Sequence, residues 1–131
     1  MGFLRRKKYD LCLCLEVAEH LPESYAERLV KTLCRLSDNV LFSAAIPNQG
    51  GQGHLNEKWQ SYWARLFEKF GFGAAEKQLD IRCQEEIELW YRQNIVLYKK
   101  GSKGKVEDFV LPAYYEQIST GFINRLRDYG R

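Results

Sequence analysis

The sequence lacks any run approaching the ~20 consecutive apolar residues of a membrane span, which argues against a helical membrane segment. Leu11–Leu15, its densest apolar stretch, is too short for a signal-peptide core and ends at Glu16. A myristoylation motif needs Ser or Thr at position 6, where Arg6 stands. The expectation is a soluble, cytoplasmic protein without a membrane span. Charge of one sign is lacking too. The formal net charge is +3 over 131 residues, too small and too evenly spread to point to nucleic acid. The one dense basic run, Arg5-Arg6-Lys7-Lys8, reads as a solvated N-terminal extension over residues 1–8.

Cysteine is present in the wrong pattern for a structural metal or a local disulfide. Cys12 and Cys14 are two apart, so on a strand they share a face, and no CxxC occurs. Cys34 falls on the apolar stripe of a helix. The thiols read as small buried hydrophobes. Internal repeats and low-complexity tracts are absent. So are a P-loop, a GxGxxG fingerprint and any local Ser-His-Asp or Cys-His arrangement.

What is there is an ordinary globular composition, with 45% hydrophobic and 28% charged residues, enough for one domain with one core. Tyr9–Val17 is a near-continuous apolar run, as in a strand buried on both faces of a parallel sheet. Pro22, Glu23 and Glu27 fit a helix start, and Leu29, Val30, Leu33 and Leu36 recur at helical spacing, predicting a helix over 23–36. Ser37-Asp38-Asn39 is a turn. Val40–Ile46 is a second strand, stopped by Pro47. Gly50, Gly51 and Gly53 make the following segment a loop, read as a lid beside a site.

Trp59, Tyr62, Trp63, Leu66, Phe67 and Phe70 give the strongest periodicity and predict a helix over 56–70, closed by Gly71. This stripe is core first; a cofactor-stacking role for Trp59 or Trp63 comes second. Gln78–Cys83 is expected as a third strand, Glu85–Trp90 as a turn or short helix and Asn94–Tyr98 as the last strand. The short link makes these two strands antiparallel neighbours. Gly101–Lys105 is a basic linker. Residues 112–128 form a final helix with Tyr115, Ile118, Phe122 and Leu126 on one side. The fold class is therefore α/β with a mixed sheet and flanking helices.

In open α/β sheets, ligands bind beyond the carboxyl ends of the strands. Glu16, Glu19 and His20 stand there after the first strand, and Pro47–Asn56 after the second. Both histidines of the chain, His20 and His54, fall on this rim, where an imidazole can move a proton near neutrality. Glu16, Glu19 and His20 match a facial triad in residue type, but no local His pair at helical spacing accompanies them, and no metal is expected.

Four segments carry a resemblance. Tyr9-Asp10-Leu11 through Leu15-Glu16-Val17-Ala18-Glu19-His20-Leu21 resembles the segment of class I S-adenosylmethionine-dependent methyltransferases that covers their fourth strand and the turn after it, with an E-x-x-E-H signature. Leu41–Pro47 resembles their fifth strand. Gly53-His54-Leu55-Asn56-Glu57 with Trp59, Tyr62 and Trp63, and Trp90-Tyr91-Arg92-Gln93-Asn94, are similar to one subgroup, small bacterial methyltransferase-domain proteins. The match spans about residues 9–100, leaving 101–131 as linker and amphipathic helix.

The resemblance implies the C-terminal half of a Rossmann-like methyltransferase sheet whose last strand is antiparallel. It implies S-adenosylmethionine as cofactor, with Leu15 and Glu16 along one side of its site. It further implies His20 as the catalytic group that positions or deprotonates the acceptor, and His54 and Asn56 as substrate-binding residues. The acceptor is a small molecule or is glycan-related. The family's glycine-rich loop and ribose-holding acid belong upstream of Tyr9, where eight residues supply neither. The chain alone is therefore expected to be inactive, and its first strand to pair with a missing N-terminal half or a second copy. The alternative is a non-catalytic interaction or oligomerisation module built on half of the fold.

Overall fold

A computed structural model describes residues 8–130. The basic run Arg5–Lys8 falls outside it except for Lys8, whose Nζ donates to Asp38 Oδ1 at 2.6 Å.

Strand β1 (Cys12–Leu15) pairs in parallel with β2 (Asn39–Ser43), which puts Cys14 beside Phe42. Between them runs helix α1 (Ala26–Leu36), entered through a 3-10 turn at Glu23–Tyr25 directly after Pro22. The single helix expected over 23–36 is thus two pieces. Val30, Leu33 and Cys34 give α1 its buried stripe. Residues 44–46 leave the β2 ladder and remain buried.

Helix α2 (Gln60–Lys69) begins later than the apolar periodicity predicts. Residues before it are held extended: the Leu55 and Asn56 N–H groups donate to the Glu19 carbonyl, and the Lys58 N–H to that of Ala45. Those bonds tie the segment to the turn after β1 and to the end of the second strand segment, so the helix starts only at Gln60. The α2 stripe is core, with Trp63, Leu66 and Phe67 buried, while Trp59 is partly open. Phe67 stacks on Tyr98 at 3.9 Å between centroids, and Phe42 meets Trp63 and Phe67.

The third strand is a correction. Strand β3 is Phe72–Ala74, and Gln78–Cys83 is irregular, ending in a turn at Arg82 and Cys83. Gly71, at φ 80°, ends α2 and reverses the chain straight into β3. Gln78 imitates a strand residue with its side chain: its amide donates to the Leu97 carbonyl and accepts from the Leu97 N–H, both at 2.8 Å. Helix α3 (Leu89–Asn94) lies further on than expected, and strand β4 (Val96–Lys100) follows. Strand β4 runs antiparallel to both β2 and β3, so the sheet order is β1-β2-β4-β3. Besides β2, the antiparallel neighbour of the last strand is therefore Phe72–Ala74, not Gln78–Cys83.

The architecture is a four-stranded open mixed sheet with flanking helices. One face, through Cys14, Val40, Phe42, Val96 and Tyr98, is buried in one core with α1 and α2. On the other, Leu13, Leu41 and Leu97 align across three strands. That stripe is only partly covered, and Leu13 is 59% exposed. Helix α4 (Pro112–Tyr129) contributes one buried residue, Tyr114. On the apolar side read from the sequence, Tyr115, Phe122 and Leu126 are exposed. Among the described residues no helix is long and apolar enough to cross a membrane.

Candidate functional site at the sheet rim

Chain direction fixes the rim. Strands β1 and β2 are parallel, so the segments leaving their carboxyl ends emerge side by side. Glu16, the first residue past β1, has φ 52°, a left-handed conformation that costs a non-glycine residue of order 1 kcal/mol. Its N–H is met by the Ser43 carbonyl at 3.0 Å and by Ser43 Oγ at 3.1 Å, which anchors the turn to β2.

The Glu16 side chain points into a polar cluster. Its Oε1 accepts from Gln49 Nε2 at 3.0 Å and from Asn94 Nδ2 at 3.3 Å, and Asn94 also donates to Gln49 Oε1. Leu15 sits half-buried beside Ser43. These two residues, expected to line a cofactor site, thus end the edge strand of the sheet.

The next turn, Ala18–His20, brings the chemistry together. Glu19 is fully buried, and neither carboxylate oxygen has a hydrogen-bond partner. Burial pushes its carboxyl above the usual carboxylate range, and the neighbouring Glu16 charge adds to this. His20, exposed, stands edge-to-face against His54 with ring centroids 4.8 Å apart. His20 Nδ1 is 3.2 Å from the Gly53 carbonyl, and His54 Nδ1 is 2.9 Å from Glu57 Oε2. That carboxylate oxygen also accepts the Gly50 N–H at 2.9 Å.

Glycine is required where the loop crosses these rings. Gly51, at φ 146°, would place a Cβ 2.6 Å from His54 Nε2. The segment read from sequence as a lid is thus seated on the two imidazoles. Asn56 lies beneath the rim, 3% exposed, with its side-chain oxygen and nitrogen unpartnered. It is therefore placed to shape the floor of the site rather than to face an open acceptor.

Helix α4 closes the far side. Gln93 donates to the Phe109 carbonyl at 2.9 Å and accepts from the Leu111 N–H at 2.7 Å. Gln60 donates to the same Phe109 carbonyl. Two buried amides therefore hold the segment that delivers Tyr114. Its buried hydroxyl has no partner, and burial raises its pKa, reinforced by the nearby charges of Glu16, Glu57 and Glu19. Between the lid loop and α4 lies a cavity of about 260 Å³, lined by Gln49, Trp90, Tyr114 and Arg125 among others. A larger cavity, about 570 Å³, lies beside β3 and residues 78–82, with Asp80, Arg82, Arg92 and Glu107 in its lining. Neither cavity is lined by Glu19, His20 or His54; the smaller one shares Gln49 with the Glu16 cluster.

The structure thus unites Glu19, His20 and His54 and sets Glu16 into a separate polar cluster. Glu57, Gln49 and Tyr114 were not predicted. Glu57 belongs to the segment carrying the resemblance and follows His54 closely. Tyr114 was hidden because the helical stripe runs through Tyr115 instead. Comparison with known protein families, with characterised proteins and with solved structures gives no match.

Proposed function

We propose that this chain is the acceptor-side half of a methyltransferase-like domain, one that uses S-adenosylmethionine only when another polypeptide segment supplies the cofactor cradle. The observation that carries the reading is the position of the E-x-x-E-H turn. It stands immediately past the carboxyl end of an edge strand whose outer side pairs with no strand among the described residues. The antiparallel β4 set between β2 and β3 supports it, since the resemblance implies an antiparallel last strand.

In this reading Leu15 and Glu16 border the cofactor. His20, exposed, orients or deprotonates a small-molecule or glycan-related acceptor hydroxyl, and His54 lines the acceptor side. Much of methyl transfer is alignment of donor and acceptor, worth up to ~7–11 kcal/mol in favourable cases. A chain holding only the acceptor side forfeits most of that.

Calorimetry tests it. The 131-residue chain alone is expected not to bind S-adenosylmethionine tightly. A fusion that places a methyltransferase N-terminal half, through its glycine-rich loop and third strand, ahead of Tyr9 is expected to bind it. Tight binding by the chain alone overturns the half-domain part, and a folded fusion without binding overturns the methyltransferase part.

A second reading, an interaction module pairing through β1, is favoured by one observation: Leu11 and Leu13 are 48% and 59% exposed on that edge. It is the reading left standing if the fusion fails.

A further inference from the structure

We propose that Glu19, His20 and His54 bind a divalent transition-metal ion of the zinc class. One ligand atom from each lies within 4.8 Å of the others. Glu19 is a buried carboxylate with both oxygens unpartnered. An ionised group in that position is costly unless something positive meets it, and no lysine or arginine does so among the described residues.

The support around the histidines has the form a metal site needs. A ligating imidazole donates its other N–H to a carbonyl or carboxylate, which fixes the tautomer and the ring. Here the His20 Nδ1–H faces the Gly53 carbonyl and the His54 Nδ1–H faces Glu57 Oε2. Each ring then carries its lone pair on Nε2. His20 is exposed, which gives an ion a way in, while Glu19 is fully buried behind it.

Two imidazoles and one carboxylate suit zinc, iron, cobalt or nickel better than magnesium or calcium. Zinc, at about 2.0–2.1 Å from each ligand, holds its ligand atoms about 3.3 Å apart. The three ligand atoms lie within 4.8 Å of one another, so uptake needs at most a small inward movement, which the glycine-built loop before His54 can follow. Three protein ligands leave a position open for water or an oxygen of an acceptor. The local spacing that argues against a metal considers Glu16, Glu19 and His20 alone. Folding exchanges Glu16 for His54.

Zinc chloride titrated into the metal-free full chain against a chromophoric chelator is expected to show one equivalent taken up. Cobalt(II) in its place is expected to give visible d–d absorption without a thiolate charge-transfer band. His20→Gln, at an exposed position and checked by circular dichroism, should weaken zinc binding about tenfold or more, as should Glu19→Gln and His54→Gln. Glu57→Gln, which touches no metal, should weaken it about 10–100-fold through His54.

The proposal is overturned by absence of uptake, by uptake unchanged in folded His20→Gln, or by a charge-transfer band that assigns the metal to cysteine. None of these readouts needs S-adenosylmethionine, so the metal site stands or falls separately from the methyltransferase reading.

Discussion

His20 and His54, delivered by the loops after two adjacent parallel strands, meet edge-to-face with their ring centroids 4.8 Å apart. Each is held at Nδ1 by an acceptor from the segment Gly53–Glu57. In the neutral ring a nitrogen facing a carbonyl or carboxylate carries the proton. As neutral rings in metal-free protein, both histidines are therefore expected as Nδ1–H tautomers. Long-range nitrogen–proton correlation spectra report this directly. Two Nε2–H tautomers there would mean that the acceptors at Gly53 and Glu57 do not orient the rings.

Gly51→Ala tests the contact between loop and ring. A methyl group there meets His54 at 2.6 Å, and φ 146° is a conformation that side chains other than glycine rarely adopt. The loop must shift, carrying Gly50 away from Glu57. The expected result is a changed His54 ring spectrum with a stability loss of roughly 1–2 kcal/mol. Gly130→Ala, where the nearest atoms are at 3.7 Å, serves as the control and should leave the ring untouched.

How far the sequence reaches differs by element. Strands β1 and β2, helix α1 and the α2 stripe follow from apolar pattern, because burial on one or both faces leaves that trace. The start of α2 is not legible, since the Glu19 and Ala45 carbonyls that hold residues 55–58 extended are far away in the chain. Strand β3 is missed because it is three residues long and follows Gly71 without a loop. In the site, local reading brings both histidines to the rim but joins Glu19 and His20 to Glu16. The pairing with His54 is a product of parallel strands, and the two glutamines that deliver Tyr114 act on backbone, which no side-chain pattern reveals.

Gln93→Leu probes that delivery. The variant loses a bond to the Phe109 carbonyl, which keeps its bond from Gln60, and leaves the part-buried Leu111 N–H without its side-chain acceptor. A loss of about 1–3 kcal/mol is expected for one such group. The beginning of α4 should loosen first. Hydrogen exchange should rise at 109–115 while residues 63–67 in the core keep their protection. Uniform loss of protection would show that the clamp supports the whole domain instead.

Thiol reactivity follows burial. Cys14 and Cys34 are buried, and desolvation pushes both thiols up to about 12. A raised pKa keeps the neutral thiol as pH rises, so at pH 8 almost no thiolate is present at either. Cys83 is exposed. Alkylation of the folded chain at pH 8 should modify Cys83 first and leave Cys14 and Cys34 until unfolding, as read by peptide mass mapping. Early labelling of Cys14 would count against the packed position of β1.

The free side of β1 has a consequence in solution. Strand β1 lies at one end of the sheet, and among the described residues β2 is its only strand partner, which leaves its other side open to pairing. Leu13 of this strand and Leu11 just before it are 59% and 48% exposed. Such an edge, apolar and without a covering element, is a template for another strand. The purified chain is expected to self-associate in a concentration-dependent way, seen as a rising mass by light scattering. Leu13→Lys places a charge on the exposed face where pairing would bury it, and should return the chain to a monomer. Because that side chain is largely outside the core, stability should change by no more than about 0.5 kcal/mol. Association unaffected by Leu13→Lys would move the contact elsewhere, with the exposed Phe122 and Leu126 of α4 the next surface to alter. A wild-type chain that stays monomeric at high concentration would remove the case for pairing at β1.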